Sequence, residues 1–138
     1  MLDDRLGYLL KRVQLSFAEA NAAALEPWGI NGRELAVLTV LVGDGVARSQ
    51  QDAAGRLGVD RTTMVALVDA LSSKGLVERR TDPGDRRRNI VVATEAGERT
   101  LAEATIAAAT AEQRYLAPLT KAEAKAFVAA LKRLLPAS

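Results

Sequence analysis

Between Ser49 and Thr94 the chain reads SQQDAAGRLGVDRTTMVALVDALSSKGLVERRTDPGDRRRNIVVAT, and three structural periods follow one another inside that stretch. Few folds satisfy such an order. Ser49 stands at an N-cap position with Asp52 three residues on, an Asp variant of the capping box, and Gly58 supplies a helix stop. Asp60 caps a second segment, RTTMVALVDALSSK, whose Met64, Leu67, Val68 and Leu71 form one apolar stripe before Gly75. Two short helices joined by a tight Gly-containing turn suit a helix-turn-helix.

After Gly75 the hydrophobic period drops from 3.6 to 2. LVERRT and NIVVAT read as short strands separated by the turn-rich DPGDRRR, which predicts a hairpin with a charged tip. Arg86, Arg87 and Arg88 cannot be buried together without partners, so they face water or an anion. Nucleic acid is the anion that such a layout suits. The second helix would lie in the major groove with its N-terminal residues toward base edges, while the hairpin tip reaches phosphates or an adjacent minor groove.

GLVERRTDPGDRRRNIVVATEAG, following LGVDRTTMVALVDAL, resembles the winged helix-turn-helix of the MarR family of transcriptional regulators. The resemblance joins four features in one order: the helix pair, the Gly-Leu-Val entry to the hairpin, the Asp-Pro-x-Asp-Arg-Arg wing and the Thr-x-x-Gly start of the next helix. The length and flanking helices agree, so it covers essentially the whole chain. It implies a mainly α protein with a small β-hairpin wing, a winged helix-turn-helix with N- and C-terminal dimerisation helices. The organisation expected is a single domain over 1–138, in which 1–29 and 95–138 form the dimerisation helices and 31–94 the DNA-binding lobe.

Composition narrows function by exclusion. With 138 residues, 49% hydrophobic and 26% charged, the chain has the balance of one globular domain with a modest core. The formal net charge is only +2, yet residues 74–88 hold six Lys or Arg against three acids, so the basicity is local. There is no cysteine and no histidine, which removes disulfides, thiolate chemistry and the usual zinc ligands; no cofactor is expected. Without cysteine, the peroxide-sensing branch of the family is excluded. No apolar run reaches the roughly 18 residues that span a bilayer, and the acidic start Met1-Leu2-Asp3-Asp4 lacks the basic region of a signal peptide. A cytoplasmic protein without membrane partners is the expectation.

Along the rest of the chain, Leu2, Leu6, Leu9, Val13 and Phe17 recur every three or four residues and predict one long amphipathic helix with acids at its start, ended by Pro27 and Gly29. Asn31 can cap a nearly all-apolar helix, GRELAVLTVLVGDG, that stops at Gly43-Asp44-Gly45. Thr94 starts an Ala-rich helix in which small side chains at 102, 104, 107, 108, 109 and 111 allow close helix contacts. Thr120 and Glu123 form a capping box for the last helix, whose apolar face is Phe127, Val128, Leu131, Leu134 and Leu135, before Pro136. One chain of this size has difficulty covering both terminal stripes, which makes them partners for each other or for a second copy. The resemblance implies an interlocked two-fold homodimer. Such a dimer reads two half-sites about 34 to 36 Å apart and predicts a pseudo-palindromic operator.

Individual residues follow from this geometry. Ser49 and Gln50 on the first helix, with Arg61, Thr62 and Thr63 at the start of the second, are placed to touch phosphates or base edges, and Val65 a thymine methyl. Capping alone also accounts for Ser49 and Asp60. Many family members carry a basic residue mid-helix where this chain has Ala66, which shifts weight to Arg61 and the wing. In the wing, Arg86 is expected at the tip, Asp85 pairing with the Arg87 guanidinium as a brace, and Arg88 on a phosphate.

The resemblance further implies a ligand-responsive repressor whose small aromatic or phenolic effector sits between the dimerisation helices and the DNA-binding lobe, with Tyr8, Arg12, Phe17 and Trp28 as candidate lining. An enzyme finds no support, since the sequence contains no Gly-rich phosphate loop, partnered nucleophile or metal-ligand cluster. The alternative is a helical protein-interaction regulator that never touches DNA, for which a one-sided set of arginines at 79, 80 and 86–88 has no use.

Overall fold

Backbone donors at a helix start need acceptors, and this chain supplies them from side chains at five of its six described helices. The computed structural model describes residues 1–43 and 48–136, so Asp44 and Gly45 of the expected Gly-Asp-Gly stop lie outside the described residues. The elements are α1 (Leu6–Leu25), α2 (Gly32–Val42), α3 (Gln50–Leu57), α4 (Arg61–Ser73), β1 (Val77–Asp82), β2 (Asp85–Ala93), α5 (Glu95–Tyr115) and α6 (Lys121–Leu134). Asn31 with Glu34 and Thr120 with Glu123 form complete capping boxes. Ser49, Asp60 and Thr94 accept from the third residue beyond each. α1 is the exception. Asp3 and Asp4 fall in a separate 3-10 turn over Leu2–Asp4, and the helix begins at Leu6 behind Arg5, which makes no side-chain cap.

The core lies where α2, α3, α4, the hairpin and α5 meet. Val37, Leu38, Met64, Val68, Leu71, Val77 and Val91 are buried there together with Leu25 at the end of α1 and Ala104 on α5. Two glycines are required by backbone geometry. Gly58 ends α3 at φ 69°, a left-handed conformation that opens the tight turn into α4. Gly97, in the first turn of α5, lies so close to the hairpin that a Cβ there would stand 2.0 Å from the Leu76 carbonyl oxygen. Thr94 completes that junction, donating from its hydroxyl to the Gly75 carbonyl at 2.7 Å and accepting from the Gly97 N–H at 3.1 Å.

Glu34 is the one buried acid among the described residues. Its carboxylate accepts from the Asn31 N–H at 3.1 Å and from Lys74 Nζ at 2.6 Å, which ties the start of α2 to the end of α4. Burying a carboxylate without such partners would be costly.

The chain ends take little part in the core. No residue of α6 is buried, and Leu6, Leu9, Leu10, Val13 and Leu15 of α1 are exposed. Leu10, Val13, Phe17, Phe127, Val128 and Leu131 line one open apolar groove, so the two terminal stripes do adjoin. Leu135 lies just past the end of α6 in extended backbone. Of the small residues on α5 expected at close helix contacts, only Ala104 is fully buried within the single chain. No helix among the described residues is long and apolar enough to cross a membrane.

Candidate nucleic-acid interface

β1 and β2 pair antiparallel through Val77↔Ala93, Arg80↔Ile90 and Thr81↔Asn89, and then the register breaks, with Asp82 opposite Asp85. Three residues of β2 are accommodated in that break: Arg86, Arg87 and Arg88. The turn itself is Pro83-Gly84, so the arginines sit on a bulged strand beside it rather than in the loop expected from DPGDRRR. A bulge re-aims the side chains it carries.

The three arginines have different surroundings. Arg88 is held by two carboxylates, Asp52 on α3 and Asp82 on β1, the second at 3.7 Å. Arg88, expected on a phosphate, has its guanidinium engaged in this structure as a brace that fastens the wing to α3. Asp85 also differs from expectation. Its carboxylate accepts from the backbone N–H of Arg87 at 3.0 Å and not from the Arg87 guanidinium, because a two-residue spacing brings the amide within reach first. Arg86 and Arg87 are exposed, and among the described residues neither enters an ion pair.

A second guanidinium clamps the other side of the hairpin. Arg79 on β1 donates through Nε to Gln50 Oε1 at 2.9 Å and through Nη2 to Asp69 Oδ1 on α4 at 2.6 Å. Both clamps are solvent-exposed, so each contributes geometry more than stability, about 0 to 1 kcal/mol. Beside the Arg79 clamp opens a groove of ≈ 490 Å³ bordered by Ser49, Gln50, Gln51, Arg61, Arg79 and Asn89. Arg61 and Thr62 at the start of α4 are exposed, and Thr63 and Val65 are half-buried. The structure thus brings Ser49, Gln50 and Arg61 to one concave face. The clamping partners Asp52 and Asp69, and the role of Arg79 as a clamp, were not assigned by sequence reasoning; an acid at Asp69 on the outer side of α4 was the available signal.

Two carboxyls here lie below their ordinary range. Hydrogen bonding to Ser49, followed by the charge and hydrogen bond of Arg88, lowers Asp52 against an opposing desolvation. Hydrogen bonds from the backbone N–H and then the side chain of Thr63 lower Asp60. The sign follows: the Asp60 cap stabilises fully above the ordinary value near 3.8, and its contribution is lost as pH falls through the lower folded value. Asp60→Ala is therefore expected to lower Tm at pH 7, with the gap closing in melting curves recorded below that value.

The four effector-lining candidates do not converge. Arg12 donates to the Tyr8 hydroxyl at 3.1 Å on α1, and Phe17 packs edge-on to Tyr115 with centroids 5.2 Å apart. Trp28 donates to Glu103 at 3.3 Å, beyond the far end of α1, a helix roughly 30 Å long. Phe17 alone of the four lines the apolar groove; within one chain there is no shared pocket for the set among the described residues.

The model of the MarR family matches residues 28–88, the segment that holds the helix pair and the wing. A Thauera aromatica protein assigned as a transcriptional regulatory protein for the hcr operon is 32% identical over 130 residues, covering 94% of this chain and 78% of its own. The chain belongs to the MarR family. Among solved structures, a Pseudomonas aeruginosa protein assigned as a transcriptional regulator superposes with TM-score 0.91 at 29% identity over 98% of this chain and 100% of its own. The repressor CouR, bound to a 23-mer DNA duplex, superposes with TM-score 0.89 at 34% identity over 96% and 94%. CouR from Rhodococcus jostii RHA1 bound to p-coumaroyl-CoA gives TM-score 0.85 at 32% identity over 100% and 97%. This MarR-family chain is a DNA-binding transcriptional regulator with a winged helix fold, and the relatives named above are transcriptional regulators.

Proposed function

We propose that this protein is a homodimeric repressor that binds a pseudo-palindromic duplex through α4 and the wing and is released by a small aromatic or phenolic ligand. The observation that carries the reading is the contrast among the arginines. Arg79 and Arg88 fix the hairpin against α3 and α4, while Arg61 at the groove and Arg86 and Arg87 on the bulged wing stay without ion-pair partners among the described residues. Cations left unpaired next to paired ones suit a polyanion that arrives later. In this reading Ser49, Gln50, Thr62, Thr63 and Val65 approach DNA around Arg61, Arg86 enters a minor groove, and Asp85 shapes the tip. Residues 31–94 act as the DNA-binding lobe, and residues 1–29 and 95–138 join the two copies. The protein works in the cytoplasm, where its DNA is.

Surface area supports a second copy. A compact monomer of 14.7 kDa is expected to expose about 6,900 Å², whereas this chain exposes 9883 Å². The excess, on the order of 3,000 Å², is larger than the roughly 1,000 to 2,500 Å² that an obligate interface removes from each partner, so a second copy can cover much of it. Most of the exposed large apolar residues lie on α1 and α6 or just beyond their ends. The repressor and effector parts rest on CouR, seen both with a DNA duplex and with p-coumaroyl-CoA.

Sedimentation equilibrium tests the dimer. The protein is expected at twice the 14.7 kDa of one chain, and Leu131→Glu is expected to shift it toward one chain while far-UV circular dichroism stays helical. An unaltered protein that sediments as one chain at micromolar concentration contradicts the assembly.

A further inference from the structure

The outward face of α4 carries little that can hydrogen-bond a base. Met64, Val68 and Leu71 face the core, and at helical spacing the opposite side presents Thr62, Ala66, Asp69 and Ser73, all exposed, with Val65 half-buried on the flank. Ser73 donates its hydroxyl to the Asp69 carbonyl at 3.0 Å, and the Asp69 carboxylate accepts from Arg79 at 2.6 Å. Gln50 of α3 accepts through Oε1 from the same Arg79, which ties its side chain into the clamp. Asp69 keeps only its second carboxylate oxygen clear of that clamp, and the start of α4 offers the Thr62 hydroxyl and the methyl groups of Thr62, Val65 and Ala66.

In the major groove thymine alone presents a methyl group, while guanine, adenine and cytosine present only hydrogen-bonding edges. We propose that this protein selects its operator half-sites by apolar contact of Thr62, Val65 and Ala66 with thymine C5-methyl groups, and not by hydrogen bonds from the middle of α4. The inference rests on the DNA-binding reading above and assigns that surface its substrate feature. Arg61 and the wing then provide affinity and register. Asp69, neutralised by Arg79, stands in the groove without repelling the phosphates.

The test uses duplexes recovered by the purified protein from a random-sequence pool, followed by replacement of single thymines with deoxyuridine. Deoxyuridine removes the methyl and leaves every hydrogen-bonding group in place. Affinity is expected to fall about fourfold for each methyl removed at one or two positions per half-site, and 5-methylcytosine is expected to bind better than cytosine there. Val65→Ala with Thr62→Ser, checked for an unchanged fold by thermal melting, is expected to bind the thymine duplex more weakly and to lose most of its sensitivity to deoxyuridine. Equal affinity for thymine and deoxyuridine duplexes at every position overturns the inference while leaving DNA binding intact. Failure to recover any duplex, even in dilute buffer, overturns the DNA-binding reading and the inference with it.

Discussion

A chain carrying Arg86→Ala together with Arg87→Ala is expected to bind its operator at least about 30-fold more weakly, since two guanidinium groups at roughly 1 kcal/mol or more each amount to about 2 kcal/mol or more in every half-site. Its melting temperature is expected to stay within about 2 °C of the unaltered protein, as for exposed substitutions that disturb no packing. The separation of the two effects follows from the bulge. It presents these side chains to solvent without ion pairs, so the fold does not depend on them. Arg88→Ala is the informative contrast. It frees Asp52 and Asp82, loosens the wing from α3, and weakens binding through position instead of direct contact. Fluorescence anisotropy with a labelled duplex, beside thermal melting, measures both quantities. Unchanged affinity of the double variant removes the wing tip from recognition.

Gly97→Ala carries the largest expected effect on stability. The added methyl would lie 2.0 Å from the Leu76 carbonyl oxygen and 3.0 Å from its carbonyl carbon, both backbone atoms held by the hairpin. Relief requires α5 to move away from β1, which costs about 3 kcal/mol, the upper end of what overpacking usually does. A loss of that size lowers Tm by roughly 10 °C in a domain of this length. Gly55→Ala is the control. It lies inside exposed α3 with nothing within 4 Å of the added carbon, and is expected to stabilise by about 0.5 to 1 kcal/mol. Differential scanning calorimetry of both variants checks the pair. A Gly97→Ala protein that melts with the unaltered one contradicts the close approach of α5 to the hairpin.

What could be read from sequence was whatever local rules determine. Asn31, Ser49, Asp60, Thr94 and Thr120 cap helices because an oxygen three residues ahead of an amide needs no distant partner. The change of hydrophobic period located the hairpin for the same reason. Long-range polar pairing was hidden. Asp52 and Arg88 are 36 positions apart and Glu34 and Lys74 are 40 apart, and an acid in the sequence gives no sign of which guanidinium or ammonium it will meet. The Arg-Arg-Arg run therefore looked like three equivalent cations, whereas the fold separates one anchored residue from two free ones. The effector candidates lie apart for a related reason: residues along one long helix and in the turn after it share a sequence neighbourhood without sharing a cavity. Ala66 was legible directly, since its position on α4 follows from the stripe opposite it.

The central claim is that the face made by the start of α4 and the wing tip is where duplex DNA is held. It is tested most directly by the salt dependence of operator affinity for the unaltered protein and the Arg86→Ala, Arg87→Ala double variant. If a dimer neutralises about six to ten phosphates, log K is expected to fall against log salt with a slope of about −5 to −9. The variant's slope is expected to be shallower by roughly 1 for each phosphate that its missing guanidinium groups leave unneutralised. A protein that binds no duplex at low salt, or a variant whose affinity and slope match the unaltered protein, contradicts it.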